Sequence, residues 1–307
     1  MTDTSTPHAM PAGSFKGKLA AAFINASGAL PLSLAQYIGF ILGHLLWYFP
    51  TETKNTILIN MNLCWPHLSE PQRIKLAKQS FIESAMAFME MPALWLQPFP
   101  RNRSQIKEVI GEDILDAALA SDRGLILVIP HLGNWELCNH FMSTKSEVTA
   151  MYQPAKIPEV DKIIYNSRSK SRTSLAPTNV SGVRNLLKLL KNGGCTAILP
   201  DQEPEPSGGL FSPFFGQNAL STSLVSKLIK QTKSIPLMLV AERLGPGKGF
   251  RIRVEECHEG IESRDLQTSV DALNKSTEKL ICHFPEQYQW SYKRFKRSPD
   301  GWTNFYP

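Results

Sequence analysis

The feature that most restricts the fold is a long uncharged stretch near the amino terminus: no charged side chain occurs between Lys18 and Glu52. Within it, residues 32–49 are almost wholly apolar and lie between Pro31 and Pro50. A helix of this length rises about 27 Å, close to the hydrocarbon thickness of a bilayer. The stretch can therefore form an interfacial or re-entrant membrane anchor, a single membrane span, or a buried helix of a soluble core.

Two polar residues and an aromatic cluster bear on these alternatives. Gln36 and His44 are unfavourable in the middle of a membrane span, because hydrocarbon offers their side chains no hydrogen-bond partner. Residues 47–49 are Trp-Tyr-Phe, a group that is typical of membrane interfaces. The predicted organisation is a polar flexible tail over residues 1–18, a hydrophobic membrane-associating helical segment over 19–52 and one domain over 53–307.

Composition narrows the class of protein. The 307 residues are 42% hydrophobic, which is enough for one large α/β domain or two small ones. A formal net charge of +6 favours an acidic partner. Because no nucleic-acid-binding motif is present, we expect a membrane surface or an acidic protein rather than nucleic acid. The five cysteines are scattered without a CxxC pair, so we expect a reducing compartment and no metal site or cofactor.

From about residue 105, strand-like and helix-like runs alternate, which is typical of an α/β sheet that contains parallel strands. The strand-like runs cover residues 124–129, 147–152, 195–199, 235–241 and 250–255. The helix-like runs cover residues 112–121, 158–171, 181–192, 219–232 and 265–284. Residues 201–218 are rich in Pro and Gly and are predicted to form a long loop. The predicted fold is a central mixed sheet flanked by helices.

One short apolar strand leads to the residues best suited to chemistry. Residues 124–129 are followed, after a proline, by His131, which would lie at the carboxyl end of a strand, where active sites of α/β sheets lie. Gly133 permits a tight turn, Asn134 can cap a following helix, and Glu136 can fold back on the imidazole. A carboxylate on one ring nitrogen makes the other a better base towards a hydroxyl. Because this spacing is common by chance, a hydrogen-bonded turn is the alternative role for His131.

Several standard catalytic motifs are absent from the sequence. There is no HExxH zinc-protease helix, no GxSxG nucleophile elbow and no GxxxxGK[ST] phosphate loop. Without an obvious nucleophile, the simplest mechanism is direct transfer of a group between two bound substrates.

Several sequence blocks occur in an informative order. They are HLGNWE at 131–136, SRSKSR at 167–172, LPDQE at 199–203, FSPFFG at 211–216, PEQYQW at 285–290 and KRFK at 293–296. On these blocks the chain resembles the late acyltransferases of lipid A biosynthesis, Gram-negative enzymes that add secondary acyl chains to lipid A precursors. The earlier run NLCWP at 62–66 also fits. Each block alone is weak evidence, but together they cover residues 62–296 of the chain.

The resemblance implies an acyltransferase-type fold with an amino-terminal membrane anchor. It implies transfer of a fatty acyl chain from acyl-[acyl-carrier-protein] to the 3-hydroxyl of an acyl chain on a Kdo-lipid A precursor. In that reaction His131 is the base and Glu136 its orienting partner. The implied partners are acyl carrier protein, the lipid A precursor and the inner membrane, with the catalytic domain on the cytoplasmic side. A glycerolipid or glycolipid acyltransferase with the same His-x4-acid chemistry is the alternative.

Further substrate-binding candidates accompany the histidine. The backbone N–H groups near Gly133, Asn134 and Trp135 could bind an oxyanion. Arg168 could steady negative charge on the thioester or on a phosphate, and Arg172 is a second candidate, although some family members carry Arg-Gly-Arg at this block. Either arginine could instead be a solvated helix charge. Asp201 follows a strand and could face the site or brace the predicted loop.

Two groups of residues towards the carboxyl end complete the predictions. Four aromatic residues either line an acyl groove or close the predicted loop onto the core: Trp135, Phe211, Phe214 and Phe215. The basic cluster at 292–297 suits an anionic headgroup or an acidic carrier protein.

Overall fold

The computed structural model describes residues 14–170 and 172–306, so most of the predicted flexible tail, residues 1–13, lies outside the described residues. The helices are α1 (Phe15–Gly28), α2 (Leu32–Leu46), α3 (Glu52–Cys64), α4 (Glu70–Leu96), α5 (Phe99–Arg103), α6 (Glu112–Leu119), α7 (Trp135–Met142), α8 (Pro158–Lys170), α9 (Val180–Lys191), α10 (Leu224–Thr232) and α11 (Leu266–His283). The strands are β1 (Ile106–Ile110), β2 (Leu125–Val128), β3 (Val148–Tyr152), β4 (Thr173–Pro177), β5 (Cys195–Ile198), β6 (Gly209–Phe214), β7 (Gln217–Thr222), β8 (Ile235–Arg243), β9 (Phe250–Glu256), β10 (Arg297–Ser298) and β11 (Gly301–Trp302).

The central sheet has, within the described part of the chain, seven strands in the order β1-β9-β8-β2-β5-β3-β4. All neighbours from β8 to β4 are parallel. Strand β9 is antiparallel to β8 and parallel to β1. The predicted α/β fold with a mixed sheet is therefore confirmed. All five strands predicted from sequence occur in this sheet, whereas β1 and β4 were not predicted.

Helices cover both faces of the sheet, as the side chains of β2 illustrate. Because side chains alternate along a strand, Ile126 and Val128 belong to one buried cluster, and Leu125 and Leu127 to another. The first cluster includes residues of α3, α9, α10 and α11, and the second includes residues of α4, α6 and α7. Burial on both faces explains why β2 is a continuous apolar run.

The amino-terminal segment forms two helices rather than one. Helix α1 begins at Phe15, inside the predicted tail, because the Ser14 hydroxyl caps it by accepting a hydrogen bond from Gly17 N at 2.9 Å. Among the described residues, no single helix combines the length and apolarity needed to cross a membrane, whereas α1 and α2 meet that test together and are bent by 118°.

Two glycines allow α2 to pack closely against α4. A Cβ at Gly39 would lie 2.6 Å from Met86 Cα, and one at Gly43 would lie 2.8 Å from Ile82 Cα. The opposite side of α2 and the turn after it expose large apolar side chains: Leu34, Phe40, Ile41, Leu45, Tyr48 and Phe49. One face of α2 is thus bound to the domain while the other presents apolar surface to the surroundings.

Replacing Gly39 by leucine is expected to lower the free energy of unfolding by about 1–3 kcal/mol, because the α4 backbone leaves no room for a side chain. Denaturant unfolding of the purified protein measures the change. The control is Ala26→Leu, at an exposed position of α1. Equal stability of the two variants would contradict the close packing of α2 on α4.

Two predictions in the middle of the chain are wrong. The predicted loop over 201–218 contains β6, and the predicted helix over 219–232 begins only at Leu224, because β7 precedes it and pairs with β6. The hairpin turns at Phe215 and Gly216, whose φ angles are 48° and 75°. Such turns favour Asn-Gly or Gly-Gly. Because a phenylalanine occupies the first turn position here, the sequence did not predict the hairpin.

The basic carboxyl-terminal cluster is engaged within the protein. Arg294 is buried and donates to Leu220 O at 2.8 Å. Lys296 and Arg297 approach the buried carboxylate of Glu203 at 3.4 and 3.5 Å. Part of the charge of the cluster is thus used within the protein, and binding of an anionic headgroup or a carrier protein by its more exposed members stays a prediction.

Candidate active site

His131 lies at the carboxyl edge of the sheet, just beyond the end of β2, as the sequence predicted. Asp201 lies at the equivalent position beyond β5, the parallel neighbour of β2. Nδ1 of His131 is 2.9 Å from Oδ1 of Asp201, and the backbone N–H of His131 donates to Oδ2 at 2.9 Å. Two neighbouring parallel strands thus bring together an imidazole and a carboxylate that are far apart in sequence.

The environment of Asp201 keeps its carboxylate ionised. Burial alone would raise its pKa, but the charge of His131 and the hydrogen bonds from its ring and backbone outweigh burial and hold the pKa of Asp201 below its ordinary value. Burial, together with the nearby Asp201 charge, raises the pKa of Tyr288 well above its usual value, so Tyr288 stays neutral. An ionised Asp201 that accepts Nδ1–H leaves Nε2 of His131 as the basic nitrogen. That nitrogen lies 3.4 Å from the Gln202 amide nitrogen.

The predicted contact of Glu136 with the imidazole is replaced by a different pair. Glu136 is buried, and its Oε1 lies 2.5 Å from a guanidinium nitrogen of Arg168. Burial alone would lower the pKa of Arg168, but the Glu136 carboxylate outweighs it and raises that pKa. Because Asp201 already occupies Nδ1, and because a buried carboxylate needs a fixed positive charge, Glu136 pairs with Arg168. The guanidinium also lies over the Tyr152 ring, 5.5 Å from its centroid.

Gly133 and Asn134 hold the turn between β2 and α7. Gly133 has φ +61°, and a Cβ there would lie 2.1 Å from Ala241 O. Its N–H donates to Gln287 O at 3.1 Å, and Asn134 N donates to Ala241 O at 2.8 Å. Both backbone N–H groups therefore fix the loop, which corrects the expectation that they bind an oxyanion. The predicted cap is confirmed, since the Asn134 side chain accepts from Leu137 N at 3.2 Å.

A buried charged network supports this turn. Glu90 is fully buried and pairs through both carboxylate oxygens with Arg243, at 2.6 and 2.5 Å. The same carboxylate accepts from Asn134 Nδ2 and from Gln36 Nε2, each at 2.7 Å. Arg243 also binds Glu83. The network joins α2 to the turn that carries His131, and loss of one partner from such a buried pair typically costs about 3–5 kcal/mol.

One of two cavities near the His131 turn, which we call the sheet pocket, has a volume of about 400 Å³ and lies between α7 and the sheet, where β2, β3 and β5 supply most of its strand residues. Residues of β2, β3 and β5, and residues just beyond the ends of β2 and β5, face it. Its apolar floor includes Leu127, Ile129, Val148, Ala150 and Ala197, and α7 contributes Cys138 and Met142. His131, Glu136 and Arg168 line the same space, so the polar groups stand beside an apolar chamber.

The second cavity, which we call the α4 cavity, has a volume of about 610 Å³ and lies between α4 and the turn after β2. Trp135 lines both cavities and packs edge-on against the His131 ring, with centroids 4.9 Å apart. Gln202 lines the sheet pocket, and its amide nitrogen donates to Gln289 Oε1 at 3.2 Å. Gln289 in turn lines the α4 cavity. The basic nitrogen of His131 therefore lies near the junction of the two cavities.

Comparison with known proteins identifies the family. A family model described as bacterial lipid A biosynthesis acyltransferase matches residues 8–297. The chain belongs to this family. It is therefore an acyltransferase, and its imidazole–carboxylate pair beside an apolar chamber is chemically suited to a transfer that needs a base next to an apolar chain.

Individual relatives extend over nearly the whole chain. The lipid A biosynthesis lauroyltransferase of Escherichia coli (strain K12) is 28% identical and is matched over 89% of this chain and 88% of its own length. The palmitoleoyltransferase of the same strain is 27% identical over 90% of each chain. The myristoyltransferase is 22% identical over 85% of this chain and 80% of its own. A solved structure, the 1-acyl-sn-glycerophosphate acyltransferase from Thermotoga maritima, covers 82% of this chain and 97% of its own, with 12% identity and a TM-score of 0.37.

Arg172 is not near His131 in this acyltransferase. It precedes β4, at the amino edge of the parallel strands, and its carbonyl accepts from Val148 N at the start of β3. Its exposed side chain lies 3.7 Å from the exposed carboxylate of Glu147. Since His131 lies at the carboxyl edge, the position of Arg172 does not support the predicted role in substrate binding.

The alternatives for the aromatic residues are decided by packing. Phe214 is buried and its ring contacts Phe215 and Tyr288, so the hairpin closes onto the core. Among the four aromatic candidates, it is Trp135 that lines both cavities.

Reasoning from sequence missed four residues that shape the site: Gln202, Gln289, Glu90 and Arg243. Gln202 and Gln289 lie in blocks that were recognised but not assigned a role. Glu90 stands among apolar residues of a helix, and Arg243 is the last residue of the apolar strand β8. A charge at a core position is informative, because it requires a buried partner.

Proposed function

We propose that this acyltransferase transfers a fatty acyl chain from acyl-[acyl-carrier-protein] to the 3-hydroxyl of an acyl chain on a Kdo-lipid A precursor. The observation that carries the proposal is the His131 imidazole, held at Nδ1 by Asp201 and lying beside an apolar pocket of about 400 Å³. Membership of the family supplies the acceptor class, and the absence of a nucleophile motif favours direct transfer.

In the proposed reaction His131 is the general base. Its Nε2 takes the proton of the acceptor hydroxyl while the hydroxyl oxygen attacks the thioester carbonyl carbon. The tetrahedral intermediate then collapses, the carbon–sulfur bond breaks, and the proton passes from the imidazolium to the departing thiolate. A positioned base of this kind typically contributes about 10²–10⁴-fold to the rate.

We assign to Arg168 the role of stabilising the negative charge on the tetrahedral intermediate. The guanidinium lines the sheet pocket and is anchored by Glu136. In a partly buried site, a fixed positive charge interacts strongly with a developing oxyanion. Glu136 thus contributes by holding Arg168, in place of the role as imidazole partner that the resemblance implies.

The sheet pocket is proposed to take the acyl chain of the donor. Its apolar floor is formed by residues of β2, β3 and β5, so its shape is set by the backbone of the sheet. Each buried methylene stabilises binding by about 0.8 kcal/mol until the chain reaches the floor. A pocket of fixed depth therefore selects chain length.

Replacing Ala150 by phenylalanine is expected to shorten the preferred acyl chain. Ala150 lines the pocket from β3, and a larger side chain there fills part of the space. The kcat/KM for long donors should fall roughly fourfold for each methylene that no longer fits. Assays with a series of acyl-carrier-protein thioesters measure this, with Ala117→Phe on the exposed surface of α6 as the control. An unchanged chain-length profile would show that the chain lies elsewhere.

Surface charge supports an acidic carrier protein as the donor. Arg184, Lys188 and Lys227 are exposed on α9 and α10, which pack together. Thr178, just before α9, and Leu224, at the start of α10, line the sheet pocket. An acidic protein bound to these helices would therefore deliver its thioester close to the pocket.

The proposed location is the inner membrane, with the catalytic domain on the cytoplasmic side. The exposed apolar side of α2 suits a membrane interface. All five cysteines are free, which fits a reducing compartment.

The decisive experiment is mass spectrometry of lipid A from cells with and without the gene. We expect a mass loss equal to one acyl group, restored by the wild-type gene and not by His131→Ala. Purified enzyme supplied in parallel with lipid A precursor and with lysophospholipid tests the acceptor. Turnover of lysophospholipid alone would replace the proposal with the glycerolipid alternative.

A further inference from the structure

The α4 cavity is the larger of the two chambers beside His131, and the proposed donor site does not use it. Trp135 separates it from the sheet pocket, and the Gln202–Gln289 hydrogen bond joins the two sides close to His131 Nε2. A direct transfer needs two substrates to reach one base at the same time. Because the two cavities lie on either side of Trp135, one substrate can approach His131 through each of them.

The lining of the α4 cavity suits an uncharged chain with a few polar groups. Its apolar part includes Phe81, Phe88 and Met91. The two charged side chains that line it, Glu83 and Arg243, are paired with each other, and Arg243 is also neutralised by Glu90. Since this positive charge is already matched, the cavity does not favour a phosphate or a sugar carboxylate.

Neutral hydrogen-bonding groups lie between the apolar part and His131. Gln289 comes from the segment beside the His131 turn, and Ser84 comes from α4. The amide of neighbouring Gln287 is already engaged, since its oxygen accepts from Arg243 N and its nitrogen donates to Arg243 O, each at 2.8 Å. Amides and hydroxyls can bind the hydroxyl and the carbonyl oxygen of a hydroxyacyl group without a charge. The polar groups are thus located where such a chain would carry its oxygens as it reaches the base.

The cavity is also continuous with the exposed apolar surface. Leu46 and Phe88 line it and are 44% and 64% exposed. Leu45, Tyr48 and Phe49 continue this surface along the turn after α2. A lipid chain can therefore pass from an apolar surface into the cavity.

We propose that the α4 cavity binds the hydroxyacyl arm of the acceptor and presents its hydroxyl to Nε2 of His131, while the charged parts of the acceptor stay outside. The inference rests on the proposed function and adds to it the site of the second substrate. Donor and acceptor chains then lie on opposite sides of Trp135.

The first test fills the cavity. Ala87 lines it from α4 and is only partly buried, so Ala87→Phe adds bulk without opening the core. The KM for the acceptor should rise about tenfold, as expected when a bound chain loses roughly 1.4 kcal/mol of contact, while the KM for the donor is unchanged. Ala150→Phe should do the reverse, and Ala117→Phe on α6 should change neither. An unchanged acceptor KM, or a raised donor KM, in Ala87→Phe would overturn the assignment.

The second test does not depend on turnover. A 3-hydroxyacyl glucosamine amide with a diazirine at the end of its chain is bound to the wild-type protein, irradiated and mapped by mass spectrometry. Label within residues 81–91 that is lost in Ala87→Phe supports the proposal. Label within residues 138–151, or label at 81–91 that Ala87→Phe leaves intact, overturns it. If the enzyme fails to acylate a lipid A precursor but the label still maps to α4, the acceptor class is wrong while the chain site stands.

Discussion

Replacing His131 by alanine is expected to lower the rate of acyl transfer by about 10²–10⁴-fold while the protein stays folded. The imidazole lines the sheet pocket, and its Nδ1 is already committed to Asp201. Turnover of purified variants with acyl-carrier-protein donor and lipid A precursor measures the loss, and circular dichroism monitors the fold.

The matched control is His67→Ala, which removes an exposed imidazole far along the chain from the catalytic turn. It should retain wild-type activity. If purified His131→Ala turns over at a near-wild-type rate, the imidazole is not the base and the proposed mechanism fails.

Asp201→Asn is expected to reduce kcat strongly, towards the 10⁴-fold scale known for carboxylate-to-amide changes behind a catalytic histidine. The Asn amide can donate to Nδ1, which moves the ring proton to Nε2 and removes the base. Because the Asp201 carboxylate also holds the backbone N–H of His131, part of the loss will come from poorer positioning. The imidazole tautomer, observed by nitrogen NMR of labelled histidine, separates the two effects.

The comparison variant is Glu136→Gln, which weakens the anchor of Arg168. We expect a smaller fall in kcat, a raised KM for the donor and an unchanged tautomer of His131. A tautomer change in Glu136→Gln but not in Asp201→Asn would restore the His131–Glu136 pairing that the resemblance implies. The two variants together therefore decide which carboxylate orients the ring.

The buried Glu90–Arg243 pair has a consequence for how helix α2 relates to the active site. Gln36 on α2 and Asn134 on the catalytic turn bind the same carboxylate. A charged group in the core is held only while its partners remain in place. The position of α2 is thus linked through one carboxylate to the turn that carries His131.

Local sequence signals determined much of the framework. The apolar run of β2 predicted a strand, and Asn134 predicted the start of a helix, because both depend on interactions within a few residues. Alternation of such runs predicted an α/β sheet. The His131–Glu136 spacing, in contrast, suggested a contact that the structure does not contain. Two residues that are close in sequence do not necessarily point their side chains towards each other.

Only the tertiary structure decided which of these residues contact one another. Asp201 meets His131 because β5 lies beside β2, and strand order is set by packing of the whole sheet. The α4 cavity and the Glu90–Arg243 pair arise where helices from distant parts of the chain meet the sheet edge. The sequence by itself determined which residues could do the chemistry and on which edge His131 would lie. The sheet order, which depends on non-local burial, decided that Asp201 is the carboxylate in contact with the imidazole.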